Sequence, residues 1–239
     1  MENYFGEEVA ARYDQRSTST VEVVNLIVDF LAAVAGDGPA LEFGIGTGRI
    51  ALPFASRGVA VNGIDLSGAM VTRLRAKPGG DELDVTLGDF ARTRVDGSFS
   101  LVYLVANTIM NLTTQDEQVA CFENAAAHLE PGGRFVIEVI VPGWQRLPPG
   151  ERFQAFDVSP RHLGFDEIDV VTQASVSHHY WIEDGRVDVF SSPFRYVWPA
   201  ELDLMARIAG MSPRERWGGW NREPFTAESR KHVSVWEKH

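Results

Sequence analysis

A single cysteine, Cys121, stands in 239 residues, which excludes an internal disulfide and any multi-cysteine metal site. Basic residues are scarce too: 22 Lys and Arg against 33 Asp and Glu leave a net charge of −11. Nucleic acid is held by clustered cations on its phosphates, and no such cluster stands out, so it is not an expected partner. No run approaches the ~20 apolar residues of a membrane span. The first thirty residues mix Glu2, Glu7, Glu8, Arg12, Asp14 and Arg16 without a basic-then-apolar signal pattern. The expectation is a cytoplasmic protein with no membrane partner. The adjacent His178 and His179 lack a third ligand, so no metal site is expected. Cys121, between Ala120 and Phe122, reads as helix packing.

What the chain does contain is concentrated near its start. Leu41-Glu42-Phe43 runs into Gly44-Ile45-Gly46-Thr47-Gly48-Arg49, and a second apolar run from Val59 ends at Gly63-Ile64-Asp65. This is a β-α-β unit whose glycine turn lets a ligand approach the backbone. The second strand ends in a carboxylate placed to accept two ribose hydroxyls. Two details argue against a dinucleotide. Arg49 occupies the place of the third fingerprint glycine, and Glu42 puts an acid inside the first strand, where only a cation or hydrogen-bond donors make it tolerable. A pyrophosphate would worsen that acid; an ammonium or a sulfonium would use it.

Apolar segments at 39–44, 59–64, 83–87, 98–106 and 134–141 alternate with helical patterns at 47–57, 67–76 and 115–129. Strands of this kind, separated by helices, imply an α/β fold with a parallel sheet covered on both faces. An N-terminal helical cap fills 1–37, with a helix after Ser17-Thr18-Ser19-Thr20. Beyond Pro142 the texture changes. Residues 169–180 and 186–198 read as two long strands joined by Glu183-Asp184-Gly185, a hairpin turn. A helix at 199–209 and strands near 212–217 and 232–236 complete one domain of 1–239: core 38–141, insertion 142–198 covering the substrate, and sheet end 199–239. The length suits one domain and not two.

The glycine turn and Asp65, with Gly88-Asp89-Phe90, residues 99–107 and His128-Leu129-Glu130-Pro131-Gly132-Gly133-Arg134-Phe135, closely resemble the ordered motifs of the class I S-adenosylmethionine-dependent methyltransferases. The likeness covers about residues 38–141. It implies a Rossmann-like seven-stranded mixed sheet of order 3-2-1-4-5-7-6 with an antiparallel insertion after strand five. It implies S-adenosylmethionine as cofactor, S-adenosylhomocysteine as product, and a small-molecule acceptor methylated on N or O. By the same resemblance Glu42 orients the methionine amino end, Asp65 takes the ribose, Asp89 accepts the adenine amine, and Phe90 gives apolar contact. Tyr13-Asp14 resembles the tyrosine motif that closes over the methionine carboxylate.

Leu66 and Met70, one helical turn apart, suit the adenine-ribose face, although a core methionine fits the same position. Leu104, Val105 and Ala106 end the fourth strand, where a doubly wound sheet binds its ligand. His178 and His179 are catalytic candidates, with at most one facing the pocket because neighbours in a strand point to opposite faces. Asn107 and Asn111 are alternatives. A catalytically silent S-adenosylmethionine-binding module and an NAD-linked oxidoreductase are the rival readings. A homodimer is compatible with all of them.

Overall fold

The computed structural model describes residues 3–17, 19–143 and 147–239. Five apolar segments, each flanked by glycine or polar turns, form parallel strands: β1 (Ala40–Phe43), β2 (Val61–Asp65), β3 (Asp84–Leu87), β4 (Phe99–Leu104) and β5 (Leu129–Ile140). Six helices accompany them: α1 (Glu7–Arg16), α2 (Val21–Ala35), α3 (Ala51–Ala55), α4 (Gly68–Arg75), α5 (Gln115–His128) and α6 (Pro199–Ile208). The principal sheet is completed by β10 (Met211–Trp217) and β11 (Lys231–Lys238), in the order β10-β11-β5-β4-β1-β2-β3. β11 runs antiparallel between β5 and β10. Counting only this sheet, that is the 3-2-1-4-5-7-6 order expected from the resemblance.

Alternation along the strands builds two cores. Leu41, Phe43, Val102, Leu104, Phe135 and Ile137 pack toward Phe122 of α5 and Leu202 of α6. Ala40, Leu101, Tyr103, Val105 and Val136 pack toward Ile27 and Leu31 of α2 and Phe54 of α3. Helix ends follow their caps. Thr20, Ser67 and Thr114 each accept a backbone N–H of the following first turn, and Thr114 forms a reciprocal box with Glu117. The helix expected at 47–57 is only α3. Gly44, Gly46 and Gly48 take φ of 70°, 56° and 74°, which a right-handed helix cannot include.

After β5 a second sheet of four antiparallel strands forms a meander: β6 (Phe153–Val158), β7 (His162–Ile168), β8 (Ala174–Glu183) and β9 (Arg186–Arg195). Two of these, β6 and β7, were not expected. β6 is a mostly exposed edge strand whose register shifts between Ala155 and Asp157, so its alternation does not survive in the sequence. β8 begins at Ala174 rather than Asp169. The Asp169 carboxylate ties down Val171 N–H and the Thr172 hydroxyl, and Gln173 has φ of 62°, so the chain turns before it extends. The β8–β9 hairpin turns where expected, with Asp184 and Gly185 both at positive φ (49° and 75°), the type I′ requirement.

Arg195, 4% exposed, fixes this sheet to the core. It donates to Gln118 of α5 (2.5 Å), to Gln173 (2.7 Å) and to Glu201 of α6 (2.8 Å). At the other end, Arg12 and Arg16 of α1 both bind Asp188 of β9, and the Arg16 guanidinium lies 3.6 Å over the Trp181 ring.

Candidate functional site

The site forms at the carboxyl ends of β1, β2 and β4, where the sheet's connections diverge. The glycine turn has used its own amides. Gly44 and Ile45 N–H bind Ile64 O (2.8 and 3.1 Å), Gly48 N–H binds Ile45 O (3.0 Å), and Gly46 N–H binds Asp65 Oδ2 (2.7 Å). Those four donors are therefore not offered to a pyrophosphate, and α3 starts too late to present its N-terminus there. A Cβ at Gly44 would stand 2.7 Å from Thr108 Cγ2, so this position admits only glycine where β1 meets the turn after β4.

A cleft of about 540 Å³ opens beside this turn, lined by Tyr13, Gly44, Gly46, Asp65, Leu66, Ser67, Met70, Phe90, Thr108 and Asn111, and by Asn3, Tyr4 and Phe5. An adjoining recess of about 310 Å³ shares Tyr13, Gly44, Gly46 and Thr108 and adds Glu42, Thr47, Arg49, Val105 and Ala106. The two acids stand at opposite ends. Asp65 accepts from Gly46 N–H and, through Oδ1, from Ser67 N–H (2.8 Å); burial raises its pKa against those two bonds. Glu42, 3% exposed, accepts from the Tyr103 hydroxyl (2.9 Å). Burial pushes its pKa up to about 8, opposed by the Tyr103 bond and the Arg49 charge. A buried carboxylate so weakly answered is poised for a cation.

α1 closes the cleft from above. Its Asp14 accepts the Thr47 hydroxyl (2.6 Å) and pairs with Lys77 (2.7 Å), which also donates to Thr47 O (2.7 Å). Burial acts upward on Asp14, but these bonds hold its carboxyl below the ordinary range. That latch brings Tyr13 between the two cavities, its hydroxyl raised by burial. Ser67 donates to Phe5 O, so residues 3–5 lie over the Asp65 end of the cleft.

The expected site residues divide in two. Tyr13, Glu42, Gly44, Gly46, Asp65, Leu66, Met70, Phe90, Val105 and Ala106 line one or both cavities. Gly48 shapes the turn; a Cβ there would meet Leu74 and Leu52 at 3.0–3.1 Å. Leu104 does not line the channel: it is buried at 0% exposure and points to the α5 side, the face opposite Val105. Asp89 lines neither cavity; its Oδ1 accepts Ala91 N–H (2.9 Å) in a local turn, beside Phe90, which does face the cleft. Asn107, at φ of 63°, commits its Oδ1 to Ile140 N–H (2.8 Å), bridging the ends of β4 and β5; Asn111 is the asparagine that reaches the cleft.

Neither histidine lines the cavities. His178 points outward, stacked on Phe165 and bonded to Ser191 Oγ (2.9 Å). His179 points inward to a stack with His162 and Trp181, its pKa lowered to about 4 by burial and by the neighbouring His162 and Arg16. Thr108, Ser67 and residues 3–5 are not among the expected residues, because their placement depends on chain reversals with no periodic signal. Nor are Arg49 and Tyr103 expected as partners of Glu42. Alternation carries a signal for Tyr103, which pairs with Glu42 across the β1–β4 register.

A family model for the methyltransferase domain matches residues 40–133. The structure of the CcbJ methyltransferase from Streptomyces caelestis is 35% identical, covers 100% of this chain and 99% of that one, and superposes with a TM-score of 0.89. The chain belongs to the S-adenosylmethionine-dependent methyltransferases. Another relative of this methyltransferase, the cypemycin N-terminal methyltransferase of a Streptomyces species, is 28% identical over 95% of this chain and 97% of its own. SAM-bound CalS10, an amino pentose methyltransferase from Micromonospora echinaspora, shares the fold across both full chains (22% identity, TM-score 0.73).

Proposed function

We propose that this methyltransferase methylates an amine nitrogen of a small-molecule acceptor, with S-adenosylmethionine extended between Asp65 and Glu42. The observation that carries the reading is the pair of buried carboxylates, Asp65 lining the cleft and Glu42 the adjoining recess, beside a turn whose amides are already bonded. Asp65 keeps one lone pair on each oxygen for the ribose hydroxyls. Glu42 faces the amino group and Arg49, beside it, the carboxylate of the methionine end, a zwitterion matched by a carboxylate and a guanidinium. Phe90, Leu66 and Met70 give the adenosine an apolar bed.

When bound, the cofactor supplies an electrophilic methyl carbon on a neutral leaving group. This chain's contribution is then alignment and exclusion of water: Tyr13 and α1 shut one side, and Thr108 and Asn111 form the opposite wall. An amine must lose its proton before its lone pair can form the new N–C bond while the C–S pair returns to sulfur. The cypemycin N-terminal methyltransferase among the relatives supports nitrogen. A hydroxyl acceptor is the second reading.

A screen with radiolabelled S-adenosylmethionine against amino sugars, peptides with free N-termini, phenols, carboxylates and amino acids tests this. Label is expected on an amine. Label confined to phenols or carboxylates would transfer the assignment to oxygen.

A further inference from the structure

The inner face of the second sheet carries a continuous hydrogen-bonded file that the cofactor cleft does not use. Asp157 Oδ2 on β6 lies 2.7 Å from His162 Nδ1 on β7. His162 Nε2 lies 3.0 Å from His179 Nδ1 on β8, and His179 Nε2 lies 3.3 Å from Ser177 Oγ. Ser177 in turn hydrogen-bonds the Asp166 carboxylate, its register neighbour on β7. The file therefore runs Asp166–Ser177–His179–His162–Asp157. Asp166 is partly buried and the Asp157 side chain is 41% exposed, so the Asp157 end is open to solvent.

This face turns toward the site. Ile168 and Phe194, which flank the Asp166 end on the same face, pack into the main core, and β9 lies against the turn carrying Thr108 and Asn111. The Trp181 end meets Arg16 of α1. Beside Asp166 two buried oxygens have no hydrogen-bond partner among the described residues: Gln154 Oε1, its register neighbour on β6, and Ser175 Oγ on β8. Ser175 lies on the same face, two residues along β8 from Ser177, and the Asp166 carboxylate and these two oxygens can all accept from a group rich in N–H, such as an ammonium.

Resting on the amine reading above, we infer that Asp166, with Gln154 and Ser175, holds the acceptor's ammonium and that the file carries its proton out to Asp157. Two arrangements with the same number of protons make this possible. In the first, protonated Asp166 donates to Ser177, Ser177 to His179 Nε2, and His179 Nδ1–H to His162 Nε2, while His162 Nδ1–H donates to ionised Asp157. Shifting the first three protons one bond onward, while His162 keeps its Nδ1–H, gives the second. Ser177 now donates to ionised Asp166, His179 Nε2–H to Ser177, and His162, now an imidazolium, to both His179 Nδ1 and Asp157. The acceptor gains a neutral nitrogen, and the charge ends beside Asp157.

Burial keeps His179 uncharged, as a relay member must be, and raises Asp166 toward the range where it can take a proton. The other charged groups nearby are Arg16 and Arg12 of α1, Asp188 of β9 and, from the outer face, His178.

Nitrogen-resolved NMR of the histidine rings in the full chain, saturated with S-adenosylhomocysteine, tests the wire without knowing the acceptor. Asp166→Asn should lower the midpoint at which His162 becomes charged by about half a pH unit or more. In a Ser177→Ala background the same change should have a clearly smaller effect. Equal effects in both backgrounds would mean a through-space influence and would overturn the wire. Should Asp166→Asn fail to fold, Ser177→Ala alone decides, because a His162 titration that ignores it contradicts the file.

A second arm measures methyl transfer to glucosamine and to a peptide with a free N-terminus. Asp166→Asn should lose about ten-fold or more in kcat, most at low pH, with unchanged S-adenosylhomocysteine affinity. An equally fast variant would remove Asp166 from its role. Coupled histidines in a wild-type protein that methylates neither amine would instead sink the amine reading and leave the wire standing.

Discussion

Glu42 lowers the stability of the folded protein whenever its buried carboxylate is charged. Its ordinary value is 4.5 and its folded value about 8. Between these, the folded state holds a proton that the unfolded chain has lost, so stability falls as pH rises through that window. Glu42→Gln should match the wild type near pH 4.5 and exceed it by a few kcal/mol above pH 8, because each tenfold change in proton affinity is worth ~1.4 kcal/mol. Thermal melts of cofactor-free protein across that range would show it; parallel curves would mean that Glu42 is not penalised by burial. Asp65 is raised by burial too, but two backbone N–H groups depend on it. Asp65→Ala should weaken S-adenosylhomocysteine by about ten- to a hundred-fold. It should also lower Tm by several degrees, since two buried N–H groups lose their acceptor at ~1–3 kcal/mol each. Calorimetry and a melt on one sample check both. An affinity loss with Tm unchanged would mean that the turn does not depend on Asp65.

At the scale of elements, α1 is a strap held through its C-terminal half in two directions, by Asp14 on Lys77 and Thr47 and by Arg12 and Arg16 on Asp188. The Asp188 contacts are partly exposed and salt-sensitive. Asp188→Ala should therefore leave Tm nearly unchanged yet weaken cofactor binding a few-fold and speed proteolytic cleavage near residues 16–20. Wild-type resistance in the variant would mean that the strap is held elsewhere. Gly185→Ala should cost about 1 kcal/mol, because alanine is strained at φ of 75° in the hairpin, and a urea melt would read it. These elements differ in how far the sequence announces them. The hairpin was legible because Asp-Gly has a single good use between two alternating runs. β6 was not, because a bulge interrupts its period, and α3 is shorter than its pattern suggests because the glycines conceal where helical φ begins.

The whole molecule is a doubly wound sheet that presents Asp65 to a cleft and Glu42 to the recess adjoining it, with a second sheet and a strap beside them. Its parallel half could be read from five apolar runs, since strands buried on both faces leave little freedom for other uses. The two acids proposed to hold the cofactor were legible because each breaks a pattern: Glu42 violates an apolar strand, and Asp65 ends one. The proposed acceptor side was not legible. Its residues, Gln154, Asp166, Ser175 and Ser177, are ordinary polar positions until three strands bring them together. Thr108 and residues 3–5 reach the site through turns that leave no pattern. The central claim, that Glu42 and Asp65 divide one S-adenosylmethionine between them, is tested most directly by calorimetry of S-adenosylhomocysteine at about pH 7 in two buffers of different ionisation enthalpy. Glu42 is largely protonated in the free site at that pH and must ionise against an ammonium, so binding should release close to one proton, and Glu42→Gln should abolish the release. Binding without proton release, or heat from NAD and none from S-adenosylhomocysteine, would contradict it.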